Sequence, residues 1–386
     1  RAVSKAEKTE VVCKLWEYDI LGVVEDDEVW QLDGHDVENG LFGVTKAGAP
    51  VLCNDGKSRP QLRTIMHMVP SNALQRAILG DIDTLPSEGQ WNMLHLTNLE
   101  ILLMSSRDRK AYFYAFFLPR PWWGGFAFGH RVDGARVGHP NRKTARLAAR
   151  CPAMGWISAV GITQMAHRSM LRLSRERHPA AGSVPRGHSE QTDRVREASV
   201  LEPRFEIRRD RSFPLTGSDD EKQAWLTYID NLDDAEIYTF EEGEIAAGTT
   251  PKHLDDVDAR YDEWDSPGSD SKALNRVVDM TSLGVRTHGA RGRRDSPEGY
   301  LLRTIAATLW VLSQPLVSRK WLQILAGRWV RNFMRRRSLM NSFDWLWKWI
   351  ARPRRLQAVP EKVAMELLSA CCMAPMCFTD LRAGIS

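Results

Sequence analysis

The chain has 386 residues, enough for two or three packed units, each with its own core. With 43% hydrophobic and 26% charged residues its composition is that of an ordinary globular protein, and a net charge of +4 is too small by itself to argue for nucleic acid. No stretch reaches the roughly 18 uninterrupted apolar residues of a membrane helix; residues 301–317 come closest, and Arg303 interrupts them.

Lys5, Glu7, Lys8 and Glu10 precede any apolar run, so no signal peptide is expected, and a start at Arg1 reads as a fragment or a processed piece. Residues 1 to about 95 mix short apolar runs with turn signals at Asp33-Gly34, Asn39-Gly40 and Asp55-Gly56. The apolar run Ile101-Leu102-Leu103-Met104 then leads to Asp108, and Trp225-Leu226-Thr227-Tyr228-Ile229 leads to Asp230. Short apolar runs bounded by polar residues predict buried strands, and a strand delivers its terminal side chain to a fixed point. Two carboxylates brought together in this way repel unless a divalent cation lies between them. The spacing therefore suggests a two-metal phosphoryl-transfer site.

A Pro-, Gly- and aromatic-rich stretch covers residues 119–140, and residues 154–173 carry a pattern compatible with a helix. Residues 172–222 are rich in Arg, Glu, Ser, Pro and Gly, which predicts a solvated insert or linker. A second acidic, polar stretch runs over residues 255–270. From 301 to 350 apolar residues recur at helical spacing, among them Trp310, Trp321, Trp329, Trp345, Trp347 and Trp349. Between Arg319 and Arg355 the only acid is Asp344, so these helices present either a grip for a phosphate backbone or a solvated basic face over an aromatic core. Cys13, Cys53, Cys151, Cys371, Cys372 and Cys377 show no C-x-x-C pairing. That argues against a disulfide framework or zinc ribbon and for a reducing, intracellular setting, cytoplasm or nucleus.

The order of these pieces resembles reverse transcriptases of the retroelement type, with the nearest likeness to divergent reverse-transcriptase-like open reading frames of algal retroelements. The resemblance runs from about Asn39 to Ser386. It implies an α+β right-hand polymerase: fingers over 1–95, an antiparallel-sheet palm packed on helices over 96–285, a helical thumb over 286–357, and the start of a connection over 358–386. Residues 39–46, Asp55-Gly56-Lys57 and Arg63 through Asn72 resemble the fingers, and the likeness gives Lys57 and Arg63 the triphosphate of the incoming nucleotide. His67 and Val69 stand where the family has an acid and an arginine.

Asp108-Arg109-Lys110-Ala111-Tyr112-Phe113 resembles the first metal-binding block, with Phe113 under the sugar and selecting deoxynucleotides. Pro152-Ala153-Met154-Gly155 resembles the segment that opens a palm helix, its proline displaced by one position; Gly155 and, further along, Gln164 fall to substrate binding. Tyr228-Ile229-Asp230-Asn231 resembles the Y-x-D-D hairpin with Asn231 in place of the second aspartate, which should lower metal affinity; Asp233 and Asp234 stand close enough in sequence to compensate. Lys272 would sit by the leaving pyrophosphate, and Leu283-Gly284 resembles a later palm motif. Residues 317–328 resemble the thumb, so Arg319, Lys320, Arg328, Arg331 and Arg335 are expected on nucleic acid.

The resemblance thus implies an RNA- or DNA-directed DNA polymerase, a nucleotidyltransferase using deoxynucleoside triphosphates, an RNA or DNA template-primer, and Mg²⁺ or Mn²⁺ on Asp108 and Asp230. The rival expectations are a decayed relative that only binds nucleic acid, and a helical scaffold that binds proteins through its tryptophans. The scaffold reading requires Asp108 and Asp230 to lie far apart.

Overall fold

The structure, a computed structural model, describes residues 5–46, 50–52, 56–172, 200–215, 222–351 and 356–383. The chain forms two compact units, each assembled from separated stretches: residues 1–83, 109–171 and 260–268 in the first, and 84–108, 172–259 and 269–386 in the second. The chain enters the second unit at Thr84 and leaves it twice, after Asp108 and after Ala259, returning at Arg172 and Ser269.

In the first unit an antiparallel sheet pairs strand Ala145–Ala149 with Leu21–Val24 on one side and Ala127–Val132 on the other. The central strand is buried throughout, so its single cation has to be satisfied internally. Arg146 reaches Asp36 at 2.7 Å, Glu38 at 3.2 Å and Asp26 at 3.3 Å. A separate hairpin, Gly40–Thr45 with Leu62–His67, extends from this core. The Asp33-Gly34 turn forms as expected, both residues at positive φ between short paired strands. Asn39-Gly40 is no turn: Asn39 is buried, and its amide donates to the carbonyls of Gly125 and Ala127 at 3.1 and 3.0 Å while accepting from Ser71 at 2.8 Å. Asp55 lies outside the described residues.

The helix expected over 154–173 runs only from Ala159 to Arg172. Its first residues are taken up by a turn at Gly155, where φ is +121° and an added Cβ would stand 2.4 Å from the Met66 carbonyl oxygen. Asn72 fastens this turn, donating to the Gly155 carbonyl at 2.8 Å and accepting from the Ile157 amide at 3.0 Å. Gly155→Ala therefore combines a forbidden backbone region with a backbone clash, and we expect about 2–4 kcal/mol of destabilisation, measurable as a lowered denaturant midpoint.

The second unit is built on an antiparallel sheet of β1 (Glu100–Asp108), β2 (Gln223–Tyr228), β3 (Asn231–Thr239) and β4 (Leu274–Val277), in the order β2-β3-β1-β4. Both apolar runs are strands as predicted, and Leu102, Met104, Ala224, Leu226, Ala235 and Ile237 pack into one core. A second sheet joins β5 (Asp279–Ser282), β6 (Val285–His288), β7 (Arg293–Asp295) and β8 (Thr379–Asp380). Of the expected polar insert, residues 173–199 and 216–221 lie outside the described residues. Residues 200–215 are not simply solvated, since Ile207 and Phe213 enter the core. The acidic stretch contributes the helix Lys252–Glu263, which buries Leu254 and Val257 and turns Asp258 to Arg107 at 2.9 Å.

Helices α1 (Tyr300–Leu312), α2 (Arg319–Phe333) and α3 (Glu361–Met373) enclose a core that includes Leu322, Leu325, Trp329, Phe333 and Leu367. The tryptophans do not form one aromatic core: Trp329 and Trp349 are buried, whereas Trp310 and Trp321 are half exposed and lie against each other at 5.4 Å. Among the described residues no helix is long and apolar enough to cross a membrane.

Candidate active site

Asp108 ends β1, and the register of β1 with β3 sets Asn231 directly across from it. Tyr228 pairs with Asn231, which leaves Ile229 and Asp230 as a two-residue hairpin turn. Hairpins of that length require positive φ at the first central residue, a position that favours glycine. Ile229 occupies it at φ +58°, a strained conformation for a β-branched side chain costing on the order of 1–3 kcal/mol. Opposed residues in an antiparallel pair stand about 4.5–5.5 Å apart at Cα. Asp230 is one residue further on, so its Cα lies within about 9 Å of that of Asp108.

Side chains alternate along a strand, so Asn231 and Asp233 share one face of β3 with Ser106 and Asp108 of β1. On that face the Asn231 amide is engaged at both its oxygen and its nitrogen. Its Oδ1 accepts from Ser106 Oγ at 3.1 Å and its Nδ2 donates to Asp233 Oδ1 at 2.6 Å. Asp233, 1% exposed, also accepts from Ser106 Oγ at 2.8 Å and from Ser282 Oγ. Asp234 faces the other way, toward Gln223 Nε2 at 2.8 Å and His253 Nε2 at 3.1 Å. Asp234 therefore turns away from Asp108, while Asp233 shares its face and is held there by Ser106, Ser282 and Asn231.

Burial pushes the Asp233 carboxyl above its ordinary value of 3.8; hydrogen bonds from Ser282, Ser106 and Asn231 oppose this, and Asp234 adds to it. The folded state thus holds this proton more tightly than the unfolded chain does. The associated stability is complete below the ordinary value and is lost as pH rises through the raised one. Asp233→Asn keeps the shape with no proton to lose. Its stability relative to the wild type should therefore climb as pH rises above the ordinary carboxyl value in paired urea titrations, and parallel curves would contradict this.

Lys272 closes the cluster. The Ser269 amide donates to the Asp108 carbonyl at 2.9 Å, the Lys272 amide donates to Ser269 O at 2.8 Å, and Lys272 Nζ reaches Asp108 Oδ2 at 2.7 Å. The hard oxygen donors Asp108 and Asp230 suit Mg²⁺ or Mn²⁺, since Mg²⁺ is commonly held by one or two carboxylates with substrate phosphates and water completing the shell. Among the described residues no group of three or more His, Cys, Asp and Glu side chains is arranged to hold a metal ion. Ser106 and Ser282 were not anticipated from the sequence; the signal for Ser106 was the polar run Ser105-Ser106-Arg107 inside a strand that is otherwise apolar and buried.

Asp108, Asn231 and Lys272 thus lie together within the second unit, with Asp230 in the adjoining hairpin turn. The expected substrate residues Lys57, Arg63, Phe113, Gly155 and Gln164 belong to the first. There Lys57 and Arg63 are exposed, Arg63 on the long hairpin opposite Val44. Phe113 is partly buried against the core, and Gln164 is fully buried on its helix. On α2, Lys320 is exposed, and Arg331 donates to the Gly284 carbonyl at 3.0 Å, tying the helix to the β5–β6 turn. Arg319 and Arg328 are half-buried. Arg335 departs from the expected solvated face: it is 5% exposed and faces Glu88 at 3.5 Å, drawn inward by a carboxylate remote in sequence.

No family model matches the chain, and no curated protein matches it in sequence. Among solved structures it is similar to the foamy viral protease-reverse transcriptase dRH in complex with double-stranded DNA, with a TM-score of 0.57 at 13% identity over 97% of this chain and 49% of that one. It is equally similar to the foamy viral protease-reverse transcriptase in complex with an RNA/DNA hybrid, with a TM-score of 0.56 at 13% identity over 97% and 37%. The chain therefore spans half or less of the length of these structures, and at such low identity the likeness concerns the fold: a mixed helix-and-sheet architecture resembling that of a reverse transcriptase.

Proposed function

We propose that the chain is a nucleic-acid-templated DNA polymerase of reverse-transcriptase type, belonging to a retroelement, with the site built on Asp108 and Asp230. The observation that carries this reading is the β1–β3 register, which sets Asn231 across from Asp108 and so holds Asp230 beside it, in a fold similar to that of a viral reverse transcriptase. The scaffold reading needs the two aspartates far apart and conflicts with that register.

In the proposed mechanism Asp108 and Asp230 would hold Mg²⁺ or Mn²⁺, which would supply neutralisation of the charge that develops during in-line displacement. Lys57 and Arg63 bind the deoxynucleoside triphosphate, as guanidinium and ammonium groups suit phosphate oxygens. Phe113 supports the sugar, Gly155 allows close approach of the backbone, and Gln164, on the helix that follows, belongs to the same substrate-binding set. Lys272 stabilises the departing pyrophosphate. Arg319, Lys320, Arg328 and Arg331 contact the template-primer backbone. Fingers, palm, thumb and the start of a connection are assigned to 1–95, 96–285, 286–357 and 358–386 on the resemblance.

A second reading, a relative that binds nucleic acid without copying it, is favoured by the engagement of the Asn231 amide with Ser106 and Asp233, which leaves two carboxylates rather than three. Primer extension on an RNA template in Mg²⁺ and in Mn²⁺ separates the two. Template-dependent extension supports the polymerase; salt-sensitive duplex binding without extension in either metal supports the second reading.

A further inference from the structure

We propose that the Lys272 ammonium is an internal counter-cation for Asp108 and competes with the divalent ion for that carboxylate. This rests on the proposed metal site at Asp108 and Asp230. Three observations carry it. Lys272 Nζ lies 2.7 Å from Asp108 Oδ2, a hydrogen-bonded ion pair on the carboxylate proposed to hold the metal. The Asp108 side chain is only 17% exposed, so water does little to neutralise it, whereas Lys272 is 59% exposed and has room to withdraw. The lysine is also delivered by backbone: Ser269 is fastened to the Asp108 carbonyl and Lys272 to the Ser269 carbonyl, at 2.9 and 2.8 Å. A group fixed in this way acts at high effective concentration, so it remains on the carboxylate until a stronger cation displaces it.

The charge balance agrees. With Asn231 neutral, Asp108 ends β1 across from the hairpin that carries Asp230, and the Lys272 ammonium already offsets the charge of Asp108. A free divalent ion gains less here than at an uncompensated pair, because it must first break the Lys272 ion pair. A divalent ion carried on a triphosphate has an advantage, since its phosphates offer the released ammonium a new anionic partner. The lysine thus biases the centre against metal alone and toward metal arriving with nucleotide.

The test is Mn²⁺ binding to the full chain without nucleotide, read by electron paramagnetic resonance of free Mn²⁺, for wild type, Lys272→Gln, Lys272→Arg, Asp108→Asn and the Lys272→Gln/Asp108→Asn double variant. Removing the competing charge should tighten binding about tenfold in Lys272→Gln. Lys272→Arg, which keeps the charge, should stay near wild type, and Asp108→Asn should weaken binding in both backgrounds. If Lys272→Gln binds no tighter than wild type while Asp108→Asn still weakens binding, the metal site stands and the competition is refuted. If Asp108→Asn changes nothing in either background, the metal site itself is refuted, and the competition with it.

Discussion

Asp108→Ala is expected to lower templated primer extension by at least about 10³-fold while leaving the fold intact. Removing one preorganised electrostatic group from a reaction centre costs about 10²–10³ in rate. Here the loss is compounded, because the variant has one fewer carboxylate and also leaves the Lys272 ammonium without its partner beside the remaining one. A cation approaching Asp230 then meets a positive charge where it previously met a balanced pair. Stability should change little. The side chain sits at the end of β1, and an ion pair with a largely exposed lysine contributes about 0–1 kcal/mol. Single-turnover extension, a denaturant titration and duplex binding on the same preparations make the comparison. Extension at the wild-type rate by a folded Asp108→Ala protein would end the polymerase reading.

The strands that lead to Asp108 and Asp230 were legible because each is an apolar run with a polar end. The polar face behind them was not. Whether Asp233 or Asp234 turns toward Asp108 depends on a register that a one-residue slip would invert, and sequence spacing does not fix it. The fixing contacts come from Ser106 and Ser282, on strands remote from β3 in the chain.

The helical third divides in the same way. Leu322, Leu325, Trp329 and Phe333 recur at helical spacing and form the buried stripe of α2. Arg335 follows the end of that helix and is decided by Glu88, a partner from near the start of the second unit. The late start of the helix Ala159–Arg172 follows the turn at Gly155, where the positive φ and the nearby Met66 carbonyl both call for a residue without a Cβ. The division into units was not legible either, since no linker-like composition marks the crossings at 83–84 and 108–109.

Asn231→Asp is the substitution by which sequence reasoning alone would restore a third acid and raise activity. The hydrogen bonds around it argue for a different result. The Asn231 amide donates to Asp233 at 2.6 Å, and that donor vanishes when the amide becomes a carboxylate. Two acidic oxygens then face each other beside a carboxyl that burial already holds above its ordinary value, so they share a proton rather than both ionising. We expect the single variant to be destabilised by about 2 kcal/mol at pH 8, less in mild acid, with little gain in extension. Adding Asp233→Asn exchanges acid and amide across the same contact. The new amide can donate to the new carboxylate, which stays ionised beside Asp108. The double variant should therefore recover most of the lost stability and show the larger gain in Mg²⁺-dependent extension, a coupling that a double-mutant cycle reads directly. A single variant as stable as wild type at pH 8, or a double variant no more stable than the single, would show that the amide does not hold this corner as its hydrogen bonds indicate.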